Sequence, residues 1–146
     1  MVKILAALAL ALSTMPALAQ YSVTIQKPYL WKVVRIIDAD TIEVEARWLP
    51  PELGQTIDIR LNGVDGPEKG GRAKCDRERS LSNQAVGTLS QILASGQPQI
   101  QLIGWDKFGG RVDGDIYVNG KSVTAILLER GLVKPYDGAT KPDWCT

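Results

Sequence analysis

Short runs in which β-branched or apolar residues alternate with charged ones dominate the middle of this sequence. Such runs predict strands, because successive side chains of a strand point to opposite faces of a sheet. Five are predicted, at residues 32–37, 41–46, 56–61, 99–103 and 112–118. Asp38-Ala39-Asp40 connects the first two in the manner of a hairpin, and Asn119-Gly120 after the last is a pair typical of tight turns.

Two stretches change to helical spacing. Leu81, Ala85 and Leu89 begin a pattern that continues to residue 93, with Gly96 at the expected helix end, and residues 123–130 form a shorter pattern that Gly131 should end. The order is three strands, a helix, two strands and a helix. This order predicts an α+β, mainly β fold: a five-stranded OB-fold barrel capped by two helices.

Residues 1–19 have the pattern of a cleaved secretory signal. Lys3 precedes an unbroken apolar run at residues 4–12, and Ala17-Leu18-Ala19 is a small-x-small cleavage site. A membrane anchor is the alternative, but this run is far shorter than the roughly 20 residues that span a bilayer. Residues 20–146 contain no repeat or long linker. We therefore expect one monomeric domain without membrane attachment, periplasmic or secreted.

The exported chain carries no net charge. The sequence has 17 Lys and Arg against 16 Asp and Glu, and cleavage removes Lys3 and no acid. Binding of nucleic acid would therefore depend on local placement of charge. The sequence contains no histidine, which excludes His-based catalytic relays and His-containing zinc sites. Catalysis must rest on carboxylates, Lys, Arg, Tyr, hydroxyls or an oxygen-ligated metal.

The only cysteines are Cys75 and Cys145. An even number in an exported chain favours a disulfide between them, and the absence of a C-x-x-C pair argues against zinc or thioredoxin-type chemistry. Two unrelated buried thiols are the alternative. A disulfide would tie the C-terminal tail to the middle of the chain.

Acidic residues lie at predicted turns between strands. Asp38 and Asp40 separate the first two strands, and Asp65 and Glu68 follow the third. Asp is common in turns for local reasons, so each alone is explained as a turn former. Together they offer hard oxygen ligands, which suit Ca²⁺ or Mg²⁺, and Glu68 could act as a general base toward a water.

Two arginines match this acidic set. Arg60 ends the third strand and Arg111 begins the fifth. A guanidinium can bind a phosphoryl group through two hydrogen bonds and stabilise the charge that grows on it under attack. The alternative is that both arginines only form salt bridges with the same carboxylates.

Five blocks of the sequence together resemble the staphylococcal nuclease (thermonuclease) family. They are residues 37–41 (IDADT), 60–68 (RLNGVDGPE), 106–111 (DKFGGR), 118–121 (VNGK) and 130–134 (RGLVK). They occur in the family's order and at similar separations, so the resemblance extends from about Lys32 to Tyr136.

This resemblance implies an OB-fold and Ca²⁺-dependent hydrolysis of phosphodiester bonds in DNA or RNA. The implied metal ligands are the carboxylates of Asp40 and Asp65, the carbonyl of Gly66 and, through water, Asp38. The implied catalytic residues are Glu68 as general base and Arg60 and Arg111 on the scissile phosphate. Lys107 and Tyr136 are the expected substrate contacts, with Lys134 as a further phosphate contact and a core position as the alternative for Tyr136.

The sequence departs from the family pattern in four places. Gly66 stands where the family has Thr, and Phe108 stands where it has Tyr. An extra glycine precedes Arg111, so that loop should bulge, and no third helix is predicted at the C-terminus. A nuclease-like OB module that binds a ligand or protein partner without cutting is the alternative to a nuclease. The lack of a basic surface favours the module, whereas the joint presence of Asp40, Arg60, Asp65, Glu68 and Arg111 favours the enzyme.

Overall fold

The computed structural model describes residues 29–146, so the predicted signal at 1–19 lies outside the described residues. The strands are Tyr29–Leu30 (β1), Val33–Asp38 (β2), Thr41–Glu45 (β3), Thr56–Leu61 (β4), Val64–Asp65 (β5), Gln99–Trp105 (β6), Arg111–Val118 (β7), Lys121–Ser122 (β8) and Lys134–Pro135 (β9). The helices are Asp76–Ala94 (α1) and Val123–Glu129 (α2), and short 3₁₀ helices span Pro51–Leu53 and Gly70–Arg72.

One sheet contains all five predicted strands, in the order β1-β6-β7-β4-β3-β2, with β8 paired to β7. Its pairs are antiparallel except β4 with β7, which run parallel. β5 and β9 form a separate two-stranded sheet. Within residues 29–146, no pairing joins the two ends of the large sheet. The α+β, mainly β class with two helices is thus confirmed, and the sheet is open.

The core lies between one face of the sheet and the two helices. Strand β7 alternates regularly, with every second residue buried from Val112 to Val118. Ile59 of β4, Leu89 of α1 and Leu127 of α2 are fully buried in the same apolar cluster. The helices therefore cover the face to which the apolar residues point, as their spacing predicts.

Both helices end near the predicted glycines. Gly131 follows α2 with a φ of +65°, the left-handed conformation that favours glycine. Gly96 does not adopt it: Ser95 caps α1, and a Cβ atom at Gly96 would lie 2.3 Å from Oδ1 of Asn119. The prediction that Gly96 ends α1 through a left-handed conformation is therefore wrong. Glycine is required here because the β7–β8 turn approaches this position too closely for a side chain.

The predicted disulfide between Cys75 and Cys145 is present, so the alternative of two unrelated thiols is wrong. Cys75 is also the N-cap of α1, so the bridge fixes the C-terminal tail to the start of this helix. Among the described residues, neither helix has the length and apolar character required to cross a bilayer.

Candidate functional site

A cleft of about 520 Å³ lies where the β2–β3 turn, the segment after β4 and the β6–β7 loop meet. All nine side chains or backbone groups predicted for the site line it: Asp38, Asp40, Arg60, Asp65, Gly66, Glu68, Lys107, Arg111 and Tyr136. Lys134 is not part of its lining. Residues that are up to about 100 positions apart in sequence therefore meet in one place.

The pairing of β3 with β4 brings Asp40 to the cleft. Thr41 pairs with Arg60 in this register, and the Thr41 hydroxyl donates a hydrogen bond to Oδ1 of Asp40 at 2.9 Å. The amide of Gly66 donates to the other carboxylate oxygen, Oδ2, at 3.0 Å. A Cβ atom at Gly66 would lie 2.6 Å from that of Ala39, so the close approach of these two turns requires glycine. The Thr of the family pattern would not fit here without a shift of the backbone.

Arg60 lies between the two predicted metal-binding carboxylates. Its Nη2 atom donates to the carbonyl oxygen of Val64 at 2.9 Å and lies 3.5 Å from both Oδ2 of Asp40 and Oδ1 of Asp65. These are the salt bridges that the structural alternative predicts. They also hold the guanidinium at the floor of the cleft, where a bound phosphate could reach it.

Asp65 is an unfavourable place for a negative charge. Its residue is only 3% exposed, and burial raises the pKa of its carboxyl group. Lys141 opposes this rise, and the neighbouring Asp40 charge adds to it. A further cation at this carboxylate would therefore be electrostatically favoured.

Glu68 is held between two cationic side chains. Lys141 Nζ lies 2.8 Å from Oε1, and Arg72 Nε lies 2.9 Å from Oε2. Burial alone would raise the pKa of Glu68, but the hydrogen bond and charge of Lys141, with Arg72, outweigh it and lower the pKa. The side chain is ionised at neutral pH, as a general base requires. The buried carboxylate of Glu78 in α1 accepts a hydrogen bond from the Glu68 amide at 3.1 Å, and this bond fixes the backbone at Glu68.

Asp38 lies at the rim, on the same side as Glu68. Its Oδ2 atom accepts a hydrogen bond from Nη2 of Arg72 at 2.8 Å, and its Oδ1 atom lies 3.4 Å from Nζ of Lys69. Arg72 thus bridges Asp38 and Glu68. The predicted water-mediated role of Asp38 at a metal remains a prediction.

The β6–β7 loop forms the opposite wall. Gly109 and Gly110 both have φ near +70°, the left-handed conformation that favours glycine. The bulge expected from the extra glycine remains a prediction. The loop turns Arg111 back onto Asp106, with Nη2 of the arginine 2.5 Å from Oδ2 of the aspartate. Arg111 therefore pairs with a different carboxylate from the ones predicted for it. Phe108, 75% exposed, has the Arg111 guanidinium 5.8 Å from its ring centre.

Tyr136 closes the cleft between its two walls. Its amide donates to the carbonyl oxygen of Gly63 at 2.9 Å. Arg60 Cζ lies 5.5 Å from the centre of its ring, and Lys107 Nζ lies 5.8 Å from it. Lys107 also donates to the carbonyl oxygen of Gly138 at 2.6 Å. Tyr136 is thus a half-buried cleft residue in contact with cations from both walls.

Sequence reasoning missed four charged residues that contact the predicted ones. They are Lys69, Arg72, Glu78 and Lys141. Glu78 carries a local signal, since an acid three residues after an N-cap is common at a helix start. Lys141 carries no local signal, but the predicted disulfide already places its segment near the start of α1.

The chemistry of the donors fits a hard divalent cation. Asp40 and Asp65 offer buried carboxylate oxygens, and Nη2 of Arg60 lies 3.5 Å from one oxygen of each. Within residues 29–146, no group of three or more Asp, Glu, His or Cys side chains is close enough to hold a metal ion. The remaining ligands would thus come from backbone, water or substrate oxygens, which Ca²⁺ accepts readily.

Comparison with known proteins adds no family assignment. No protein-family model matches the chain, and no curated protein matches it.

Proposed function

We propose that this protein is an exported, Ca²⁺-dependent nuclease of the staphylococcal nuclease type that hydrolyses phosphodiester bonds of DNA and RNA. One observation carries the proposal: Asp40, Asp65, Glu68, Arg60 and Arg111 all line one cleft. These are the two metal-binding carboxylates, the base and the two phosphate-binding arginines that the family resemblance implies. A domain that only binds a partner has no physical need to bring this set together.

Each residue has a defined task in the proposed reaction. Glu68 accepts a proton from the water that attacks phosphorus, while Arg60 and Arg111 donate hydrogen bonds to the phosphoryl oxygens that gain charge. One ester P–O bond breaks as the new one forms, and the leaving alkoxide takes a proton from solvent. Asp40, Asp65 and the Gly66 carbonyl would hold Ca²⁺, which would supply positive charge beside the phosphate. Lys107 and Tyr136 contact the substrate beside this centre.

We also infer that the fold is an OB-fold whose barrel is open. Counting only the five long strands, the sheet order is β6-β7-β4-β3-β2, with parallel pairing of β4 and β7. This is a five-stranded OB barrel order with one seam unpaired, and OB-folds are often only partly closed. The predicted signal at residues 1–19 and the disulfide in the domain support export to the periplasm or beyond. We propose a monomer.

The second candidate is a non-catalytic module that binds a ligand or protein partner. Two observations favour it. The exported chain is electrically neutral, and every carboxylate predicted for the site already pairs with a cation of the chain itself. If these pairs were permanent, the cleft would have no vacant negative charge to offer a metal.

A nuclease assay separates the two candidates. The mature protein is incubated with single-stranded DNA or RNA in Ca²⁺, in Mg²⁺ or in excess chelator. We expect cleavage in Ca²⁺ and none in chelator, with Mg²⁺ less effective because of its stricter octahedral geometry. Full activity in chelator, or no cleavage under any condition, would contradict the proposal.

Variants show whether the cleft itself is responsible. Glu68→Gln removes the base and Arg60→Lys removes the two-pronged guanidinium, so each should lower kcat by about 10²-fold or more. The controls Glu52→Gln and Arg47→Lys change exposed residues outside the cleft. Thermal midpoints are measured on the same preparations. A lower midpoint with an unchanged rate per folded molecule would assign Arg60 and Glu68 to a structural role.

A further inference from the structure

The C-terminal tail places a cation on the carboxylates of the proposed metal site. Lys141 Nζ lies 2.8 Å from Oε1 of Glu68 and 3.5 Å from Oδ1 of Asp65. Arg60 contacts the same Asp65 oxygen. The side chain of Lys141 is about half exposed, whereas that of Asp65 is 5% exposed. The lysine therefore reaches in from solvent to a buried carboxylate.

The tail that carries this lysine is firmly anchored. Cys145 is bound to Cys75, and the side chain of Trp144 is buried, with Lys134 Nζ 4.6 Å from its ring centre. Arg77 Nη1 donates to the carbonyl oxygen of Thr146 at 2.5 Å. These contacts hold residues 142–146 against the start of α1. Lys141 comes directly before them, so its position at the cleft is set by the tether.

An ammonium group and a divalent cation cannot occupy one carboxylate oxygen together without repulsion. Lys141 fills part of the coordination space of Asp65 and supplies charge that a metal would otherwise supply. Resting on the function proposed above, we propose that Lys141 is a tethered internal cation that competes with Ca²⁺ for Asp65. It stabilises the metal-free cleft and sets the Ca²⁺ concentration at which the site fills.

The competition has a predicted size. Lys141 is half exposed, so its attraction to Asp65 and Glu68 is screened by solvent and is well below that of a buried pair. Neutralising it should tighten Ca²⁺ binding by about tenfold. An arginine at this position retains the charge, so Lys141→Arg should keep the affinity within about threefold of the parent value.

The test is isothermal titration of Ca²⁺ into the full mature protein without substrate. Four proteins are compared: the parent chain, Lys141→Met, Lys141→Arg and the control Lys121→Met, which removes an exposed lysine of β8 outside the cleft. Thermal midpoints confirm that each is folded. Tighter binding by about tenfold in Lys141→Met alone supports the proposal, as does binding that appears only in this variant.

The other outcomes overturn the proposal in distinguishable ways. If all four proteins bind Ca²⁺ equally, Lys141 does not compete, and the metal site of the proposed nuclease stands. Weaker binding in Lys141→Met would mean that the lysine organises the site instead of opposing the metal. If none binds Ca²⁺ at millimolar concentration, the metal site fails and the competition fails with it.

Discussion

Two buried aspartates on opposite walls of the cleft differ in the direction of their pKa shifts. Asp65 is 3% exposed and Asp106 is 8% exposed. Burial raises the pKa of Asp65. Burial alone would also raise the pKa of Asp106, but the Phe108 amide and the Arg111 guanidinium outweigh it and lower the pKa. Both residues are thus nearly closed to solvent, yet Asp65 is costly to ionise whereas the charged form of Asp106 is stabilised.

One cause is that Asp65 lies deeper in the protein than Asp106. The other is the distance from each carboxylate to its partners. Asp106 accepts hydrogen bonds from the Phe108 amide at 3.0 Å and from Arg111 at 2.5 Å. The nearest cations to Asp65, Arg60 and Lys141, lie 3.5 Å away. The closely paired carboxylate of Asp106 positions a neighbour, whereas the more weakly paired carboxylate of Asp65 retains capacity for a ligand. Asp106 positions Arg111, and the weaker pairing of Asp65 supports the metal-binding role proposed for it.

The largest difference is expected in catalytic rate. Asp65→Asn removes a proposed metal ligand and should lower the Ca²⁺-dependent rate by about 10²- to 10³-fold. Asp106→Asn only loosens Arg111, so a loss of about tenfold is expected. Rates are measured at saturating substrate, with Asp115→Asn on β7 as the matched control. Equal losses in the two cleft variants would break the distinction between ligand and positioning residue.

The next effect concerns the disulfide between Cys75 and Cys145, which holds the tail against the wall of the cleft that contains Asp65. Reducing the bridge between Cys75 and Cys145 should cost up to about 4 kcal/mol of stability in the chain-entropy model for a separation of this size. Urea unfolding of the oxidised and reduced protein measures it, and Cys145→Ser is the second route to the same state.

Hydrogen exchange locates the effect of reduction. Amides of residues 66–74 and of the tail should exchange faster after reduction, because the tail no longer covers them. Amides of residues 104–111, which hold Asp106 and its partners, should be unchanged. An equal increase in both regions would mean that the two walls open together.

The same contrast explains what could be predicted from sequence. The five long strands and both helices follow local patterns, and the turns at Asp38-Ala39-Asp40 and after β4 place their acids at one end of the sheet. The Arg111–Asp106 pair spans five residues inside a block that the sequence already singles out. Local pattern and family resemblance together therefore predicted nine residues that line one cleft.

Apart from the disulfide, side-chain contacts between distant segments could not be predicted. Lys141 and Glu68 are 73 residues apart, and nothing in the pattern around either residue indicates the other. The contact depends on the disulfide and on the path of the tail after β9. Similarly, the close approach of Gly66 to Ala39 follows from how two turns pack. Such contacts are set by the whole fold, which periodicity does not describe.

A smaller effect is expected in the pH dependence of stability without metal. The folded protein binds a proton at Asp65 more tightly than the unfolded chain does, so its contribution to stability falls as pH rises above the ordinary value of 3.8. The contribution of Asp106, whose pKa is lowered, is present above 3.8 and is lost as pH falls below it.

Chemical unfolding of the parent chain and two variants from pH 3 to pH 7 tests these signs. Asp65→Asn should gain stability relative to the parent chain as pH rises, because it never pays for a buried charge. Asp106→Asn should lose about 1–3 kcal/mol relative to the parent chain near neutral pH, since a charge-assisted hydrogen bond is gone. Curves of the same sign for both variants would show that burial alone controls these carboxylates.

The smallest effect separates lysines that face substrate from the lysine that faces the carboxylates. With few phosphate contacts in the cleft, the logarithm of substrate affinity should fall as the logarithm of salt concentration rises, with a slope near three or four if each contact releases roughly one counterion.

Lys107→Met, on the Asp106 wall, should reduce this slope by about one. Lys141→Met should leave it unchanged, because that ammonium is already neutralised by Glu68. Binding is measured with Glu68 retained, on a hydrolysis-resistant phosphorothioate oligonucleotide, at a fixed Ca²⁺ concentration that saturates every variant. A slope near ten would reveal a basic surface outside the cleft, and a fall in slope for Lys141→Met would place this lysine on the phosphate instead of the carboxylates.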